Sequence, residues 1–226
     1  MQYNIIGQTM PALEVVLNAG ESMYTQSGGM AWMNDGIEMS TNARGGIAKG
    51  IGRMFSGESF FMANYTARRD GAMIAFASTV PGEIVPVDLS QGPGLVCQKG
   101  AFLCATQGVN MNVTFTKKFS AGLFGGEGFI LQETSGMGML FLEIDGDKVV
   151  KNLAPGEVIK VDTGNVVAFE KTVSYEIETV KGFANIFLGG EGLFLTRLTG
   201  PGAVILQTQN FNDFAGRIAR MIPSKG

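Results

Sequence analysis

At 226 residues the chain is long enough for one large β domain or two small ones, with a substantial buried core. Charged residues are only 16% and glycine is 33 of 226, about twice its average usage, which points to deeply buried sheets or a surface covered by other subunits. With 17 basic against 20 acidic residues and no basic run longer than Arg68-Arg69 or Lys117-Lys118, no phosphate-backbone footprint is written, and nucleic acid is not an expected partner.

The opening Met1-Gln2-Tyr3-Asn4 has neither a basic region nor a long apolar one, and no stretch approaches about 18 uninterrupted apolar residues; a cytoplasmic protein is expected. Ala19-Gly20-Glu21 then introduces a short apolar run, SMYT, and the same device returns as Pro81-Gly82-Glu83 before IVPV and Pro155-Gly156-Glu157 before VIKV. Trp32, with Met23, Met30, Met33, Met39, Met54 and Met62, reads as adaptable core filling of the first third. The Gly-rich Gly45–Gly52 carries Lys49 but lacks the hydroxyl that a phosphate-binding loop needs, and reads as a connection.

A second motif organises the chain. Phe55-Ser56-Gly57-Glu58-Ser59-Phe60 is followed by Phe124-Gly125-Gly126-Glu127-Gly128-Phe129 and Leu188-Gly189-Gly190-Glu191-Gly192-Leu193, at spacings of 69 residues (Gly57 to Gly126) and 64 (Gly126 to Gly190). After each copy come an apolar run, a short turn with glycine and a second apolar run, which reads as a hairpin: FFMANYTARRDGAMIAFA, FILQETSGMGMLFLEI and LFLTRLTGPGAVILQT. Asp145-Gly146-Asp147 is expected to close another hairpin, Met139–Ile144 against Lys148–Val150. Val158–Asp162 and Val166–Glu170 read as strands about the tight turn Thr163-Gly164-Asn165, and Tyr175–Val180 alternates as a strand with one wet face. Cys97 and Cys104 read as small core hydrophobes. Phe211, Phe214, Ile218 and Ile222 fall at helical spacing with Arg217 between them, predicting one amphipathic helix over 211–222 that Pro223 stops.

The expected fold is therefore an all-β single domain of three pseudo-symmetric β repeats, roughly 1–78, 79–148 and 149–210, with a short C-terminal helix. The Gly-Gly-Glu-Gly motifs and the opening MQYNIIGQTMPALEVVLNAGESMYTQSGGMAW resemble the bacterial and archaeal family related to the yeast altered-inheritance-of-mitochondria protein, over Tyr3 to about Phe214. That resemblance implies a β barrel or sandwich similar to the tryptophan RNA-binding attenuator protein, and it supplies no catalytic residues. The first copy departs from the pattern, with Ser56 and Ser59 in place of glycines.

The chain has no histidine, which removes Ser-His and Cys-His catalysis and most transition-metal sites. Glu58, Glu127 and Glu191 could converge on a divalent cation if the repeats meet at an axis; the plainer reading is that each accepts hydrogen bonds from the turn formed by Gly57, Gly126 or Gly190 beside it. No catalytic residue, cofactor or metal is expected. The apolar residues flanking the glycines, Phe55, Phe124, Phe187 and Leu188, either fold inward over the barrel ends or form one sticky face; as interaction candidates they make the expected function a non-enzymatic scaffold that self-assembles as a homo-oligomer, or meets a membrane surface or protein partner. Two other readings stand beside it: a small-ligand or metal-ion binder, or carboxylate-based enzyme, with its site at a repeat junction, and nucleic-acid binding by fold analogy alone.

Overall fold

A computed structural model describes residues 1–26, 28–42, 62–117, 128–180 and 193–222. Phe55, Gly57, Glu58, Phe124, Gly126, Glu127, Phe187, Leu188, Gly190 and Glu191 lie outside the described residues, as do Gly45–Gly52 and Lys118. Apart from short 3-10 turns and one terminal helix, the described elements are strands.

After an opening strand β1 (Gln2–Ile6) come β2 (Ala12–Leu17), β3 (Ser22–Gln26), β4 (Met30–Met33), β5 (Ile37–Asn42), β6 (Met62–Ala67) and β7 (Ala72–Ala77). Next are β8 (Gly82–Asp88), β9 (Leu95–Gln98), β10 (Phe102–Thr106), β11 (Val109–Lys117), β12 (Phe129–Gly136) and β13 (Met139–Asp145). The last six are β14 (Lys148–Leu153), β15 (Val158–Asp162), β16 (Val166–Glu170), β17 (Ser174–Val180), β18 (Leu193–Thr199) and β19 (Gly202–Gln207), and the helix α1 (Phe211–Met221) follows. The strands form where β-branched and aromatic residues alternate: in β2, Leu13, Val15 and Leu17 are buried while Val16 faces out.

The hydrogen-bonding order recurs with each six strands. β2-β7-β4 is matched by β8-β13-β10 and by β14-β19-β16; β5-β6-β3 is matched by β11-β12-β9 and by β17-β18-β15. Strand β3 also pairs with β10, and β9 with β16, so the half-sheets join into two six-stranded sheets. Each of β4, β10 and β16 carries a bulge at the same place: the register skips between Met30 and Trp32, between Phe102 and Cys104, and between Val166 and Ala168.

The chain packs as two compact units. The first (1–90, 102–110 and 136–143) holds the four-stranded sheet β1-β2-β7-β4 and the six-stranded sheet β5-β6-β3-β10-β13-β8. Its core is Leu13, Val15, Met23, Ile74, Phe76, Cys104 and Phe141, all fully buried. The second (91–101, 111–135 and 144–226) holds the other six-stranded sheet and β15-β18-β17, around Phe129, Leu131, Phe169, Leu198 and Val204.

The predicted hairpins after the Gly-Glu motifs are corners instead. β6 and β7, β12 and β13, and β18 and β19 lie in different sheets, and so do β13 and β14 on either side of Asp145-Gly146-Asp147. A strand–turn–strand sequence specifies two strands and a reversal, not whether the second strand pairs with the first or crosses to another layer. The hairpins among the described strands are β1/β2, β5/β6, β11/β12 and β17/β18, and the stretches 43–61, 118–127 and 181–192 that connect the last three carry the motifs. Pro81-Gly82-Glu83 also differs from its look-alikes. It opens β8, the counterpart of β2 and β14, whereas Ala19-Gly20-Glu21 and Pro155-Gly156-Glu157 stand between β2 and β3 and between β14 and β15. Pro-Gly-Glu suits many turns, so the tripeptide alone does not place itself.

Candidate functional site

Several of the described polar groups that could carry chemistry are buried or engaged in holding the fold. Among the described residues no group of three or more Cys, Asp and Glu is placed to hold a metal ion. Cys97 and Cys104 are free thiols, fully buried, and burial pushes Cys97 up to about 12 and Cys104 well above its ordinary value, so neither is a nucleophile near neutral pH. Burial likewise raises Asp145 and Asp162, while their backbone hydrogen bonds oppose it. Asp162 Oδ1 accepts from Gly164 N–H at 2.9 Å and so caps the 3-10 turn Thr163–Asn165. Asp145 Oδ2 accepts from Phe211 N–H at 3.2 Å at the first residue of α1. Of the basic residues considered for nucleic acid, Arg68 lies 3.0 Å from Glu38 and Arg69 2.7 Å from Asp35, while Lys117 ends β11.

The feature that stands apart is a strand edge. Because of the shared bulge, Trp32, Cys104 and Ala168 are counterparts, and Met33, Ala105 and Phe169 are the next set. Cys104, Ala105, Ala168 and Phe169 are 0% exposed, since β3 lies against β10 and β9 against β16. Tyr24 of β3 also stacks on Phe102 of β10 at 5.5 Å. Strand β4 is the last strand of its sheet, and Trp32 and Met33 are 39% and 37% exposed. Trp32 was expected in the core; it lies at an edge, with Nε1–H donating to Glu14 Oε1 at 3.3 Å. The tryptophan is large and apolar whichever side of the sheet it occupies, so composition alone does not separate the two cases.

The outer strand of the three-stranded sheet is also open. β15 is the counterpart of β3 and β9, and where those strands bury Tyr24 and Val96 it presents Lys160 and a 40% exposed Val158. Lys160 pairs with Glu178 at 2.7 Å. A third exposed apolar feature is α1, whose Phe211, Phe214, Ile218 and Met221 form one stripe facing solvent. The helix was legible from its spacing; the two strand edges were not.

Fold and surface together define an all-β protein of recurring strand order whose exposed features, among the described residues, are strand edges and one amphipathic helix. The chain belongs to the AIM24 family: the family model described as mitochondrial biogenesis AIM24 matches residues 3–209. An uncharacterised protein of Streptococcus pyogenes serotype M6 is 32% identical over 222 residues, covering 95% of this chain and 88% of that protein. The crystal structure of a Streptococcus pyogenes protein matches with a TM-score of 0.79 and 27% identity, over 98% of this chain and 99% of that one. Among the described residues no helix is long and apolar enough to cross a membrane.

Proposed function

We propose that this chain is a non-enzymatic interaction module, built from three copies of one six-stranded unit, that assembles with itself in the cytoplasm. The observation that carries the reading is the edge of β4: positions that are fully buried in β10 and β16 are open there at Trp32 and Met33, where no further described strand of its sheet covers them. Exposing a tryptophan and a methionine side by side at an unpaired edge invites strand addition, and a self-association contact puts that surface to use. The recurring strand order and bulge support the three-copy part of the reading. Phe55, Phe124, Phe187 and Leu188 belong to it as a further set of contacts in the hairpin connections.

Light scattering across a hundredfold concentration range tests this. A discrete oligomer that persists on dilution is expected, and a monomer at every concentration overturns the reading. A second reading, association with a membrane surface, is favoured by α1, whose exposed Phe211, Phe214, Ile218 and Met221 share the helix with Arg217. Co-sedimentation with anionic lipid vesicles separates the two, because removing residues 211–222 abolishes lipid binding and leaves self-association unchanged.

A further inference from the structure

We infer that β4 of one copy pairs antiparallel with β15 of a second copy, Trp32 opposite Val161 and Met33 opposite Lys160. This rests on the self-assembly reading and names its contact. The fold already contains this junction twice: β3 pairs with β10, and β9 with β16. β15 is the remaining strand of the β3/β9 kind and β4 the remaining strand of the β10/β16 kind, and each ends its sheet. A β15–β4 contact between copies continues that series and satisfies two rows of edge N–H and C=O groups at once.

The register follows from the two existing junctions. Thr25, Cys97 and Val161 lie opposite Ala63, Gln132 and Thr196, which stand six residues after Gly57, Gly126 and Gly190. Cys104 lies opposite Thr25, and Ala168 opposite Cys97. Trp32 holds the position of Cys104 and Ala168 after the bulge, so its partner is Val161, and one step along the strands Met33 meets Lys160. Trp32 against Val161 is an aromatic–β-branched cross-strand pair. The Lys160 stem lies over Met33 while Glu178 keeps its ammonium at the surface, so a lysine at this place does not bar the contact. The two edges belong to different strands, so a single β4–β15 contact is head-to-tail and extends to a ring or a filament, while two such contacts made reciprocally close a two-fold dimer.

Cysteine pairs read the contact directly, because the native Cys97 and Cys104 are buried. Trp32→Cys and Val161→Cys, co-expressed on differently tagged chains and oxidised, are expected to give a reducible heterodimer. Met33→Cys with Lys160→Cys is expected to do the same, since directly opposed strand residues stand about 4.5–5.5 Å apart at Cα, within disulfide reach. Neither single variant should link to itself, and Trp32→Cys with Val158→Cys, three residues out of register, should stay unlinked. The contact is overturned by self-linking of Trp32→Cys, which reports β4 against β4, or by a bond that closes within one chain of the double variant. It is equally overturned if no link forms while light scattering still shows an oligomer, in which case self-assembly stands through another surface. A monomer removes both the contact and the reading beneath it.

Discussion

The N–H of Asn18 donates to Glu21 Oε2 at 2.8 Å, and the N–H of Ala154 donates to Glu157 Oε2, also at 2.8 Å. The agreement extends through both turns. Gly20 N–H donates to Ala67 C=O as Gly156 N–H donates to Gly200 C=O, and the next bonds, Ala67 to Glu21 and Gly200 to Glu157, also match. Each carboxylate thus closes a loop between two strands by accepting the N–H that the turn would otherwise leave open.

Glu21→Gln should therefore destabilise the protein by about 1 kcal/mol at neutral pH, through the weakened hydrogen bond to Asn18. The Asn18 N–H, and after it the terminal ammonium of Met1, holds the Glu21 carboxyl below its ordinary 4.5. A depressed carboxyl contributes stability that is present above 4.5 and lost as pH falls through the lower folded value. Urea melts of wild type and variant should differ at pH 7 and converge in strong acid. Melts that stay parallel across that window would show that the charge of Glu21 does not matter.

Gly202 has φ of +141°, and a Cβ there would come 2.5 Å from Thr172 Oγ1; Gly138, with φ of +138°, would bring one 2.2 Å from Thr106 Oγ1. Both sit at corners where the chain leaves one sheet for another. Gly20 also has positive φ, +83°, but nothing lies within 4 Å of its Cβ position. Gly202→Ala should cost more than Gly20→Ala, which carries only the backbone penalty of about 1–2 kcal/mol. Thermal melts of the two variants check the order, and equal losses would count against the crowding at the corner.

Phe141 and Trp32 belong to the same compact unit and should behave oppositely on truncation. Phe141→Ala empties a fully buried site and should cost about 3–5 kcal/mol, whereas Trp32→Ala, at a 39% exposed edge, should cost under about 1.5 kcal/mol in denaturant melts of dilute protein. Its effect should appear in assembly, as a fall in the mass measured by light scattering. A large loss of intrinsic stability from Trp32→Ala would place the indole in the core after all.

Cys97 and Cys104 should resist a thiol reagent at pH 8 in the folded protein, since burial keeps both as thiols. Two equivalents should react once guanidinium is added. Rapid modification of the native state would reveal local opening of β9 or β10.

Much of this protein was legible as sequence. The strands over Val158–Asp162 and Val166–Glu170 follow from β-branched runs between turn residues, and the terminal helix from the spacing of Phe211, Phe214 and Ile218. These are local signals, since a side chain's preference for a pleated or helical backbone and the period of its burial are set within a few residues. The repeated motif that carries the interaction candidates Phe55, Phe124 and Phe187 was equally plain, and those three residues lie outside the described ones. Strand pairing was not legible. Backbone N–H and C=O groups are the same at every residue, so nothing in FILQETSGMGMLFLEI says that β12 and β13 part into two sheets. Only the tertiary structure decides that β10 and β16 receive a neighbour while β4 has none among the described strands, and that decision turns Trp32 from a core residue into a surface one.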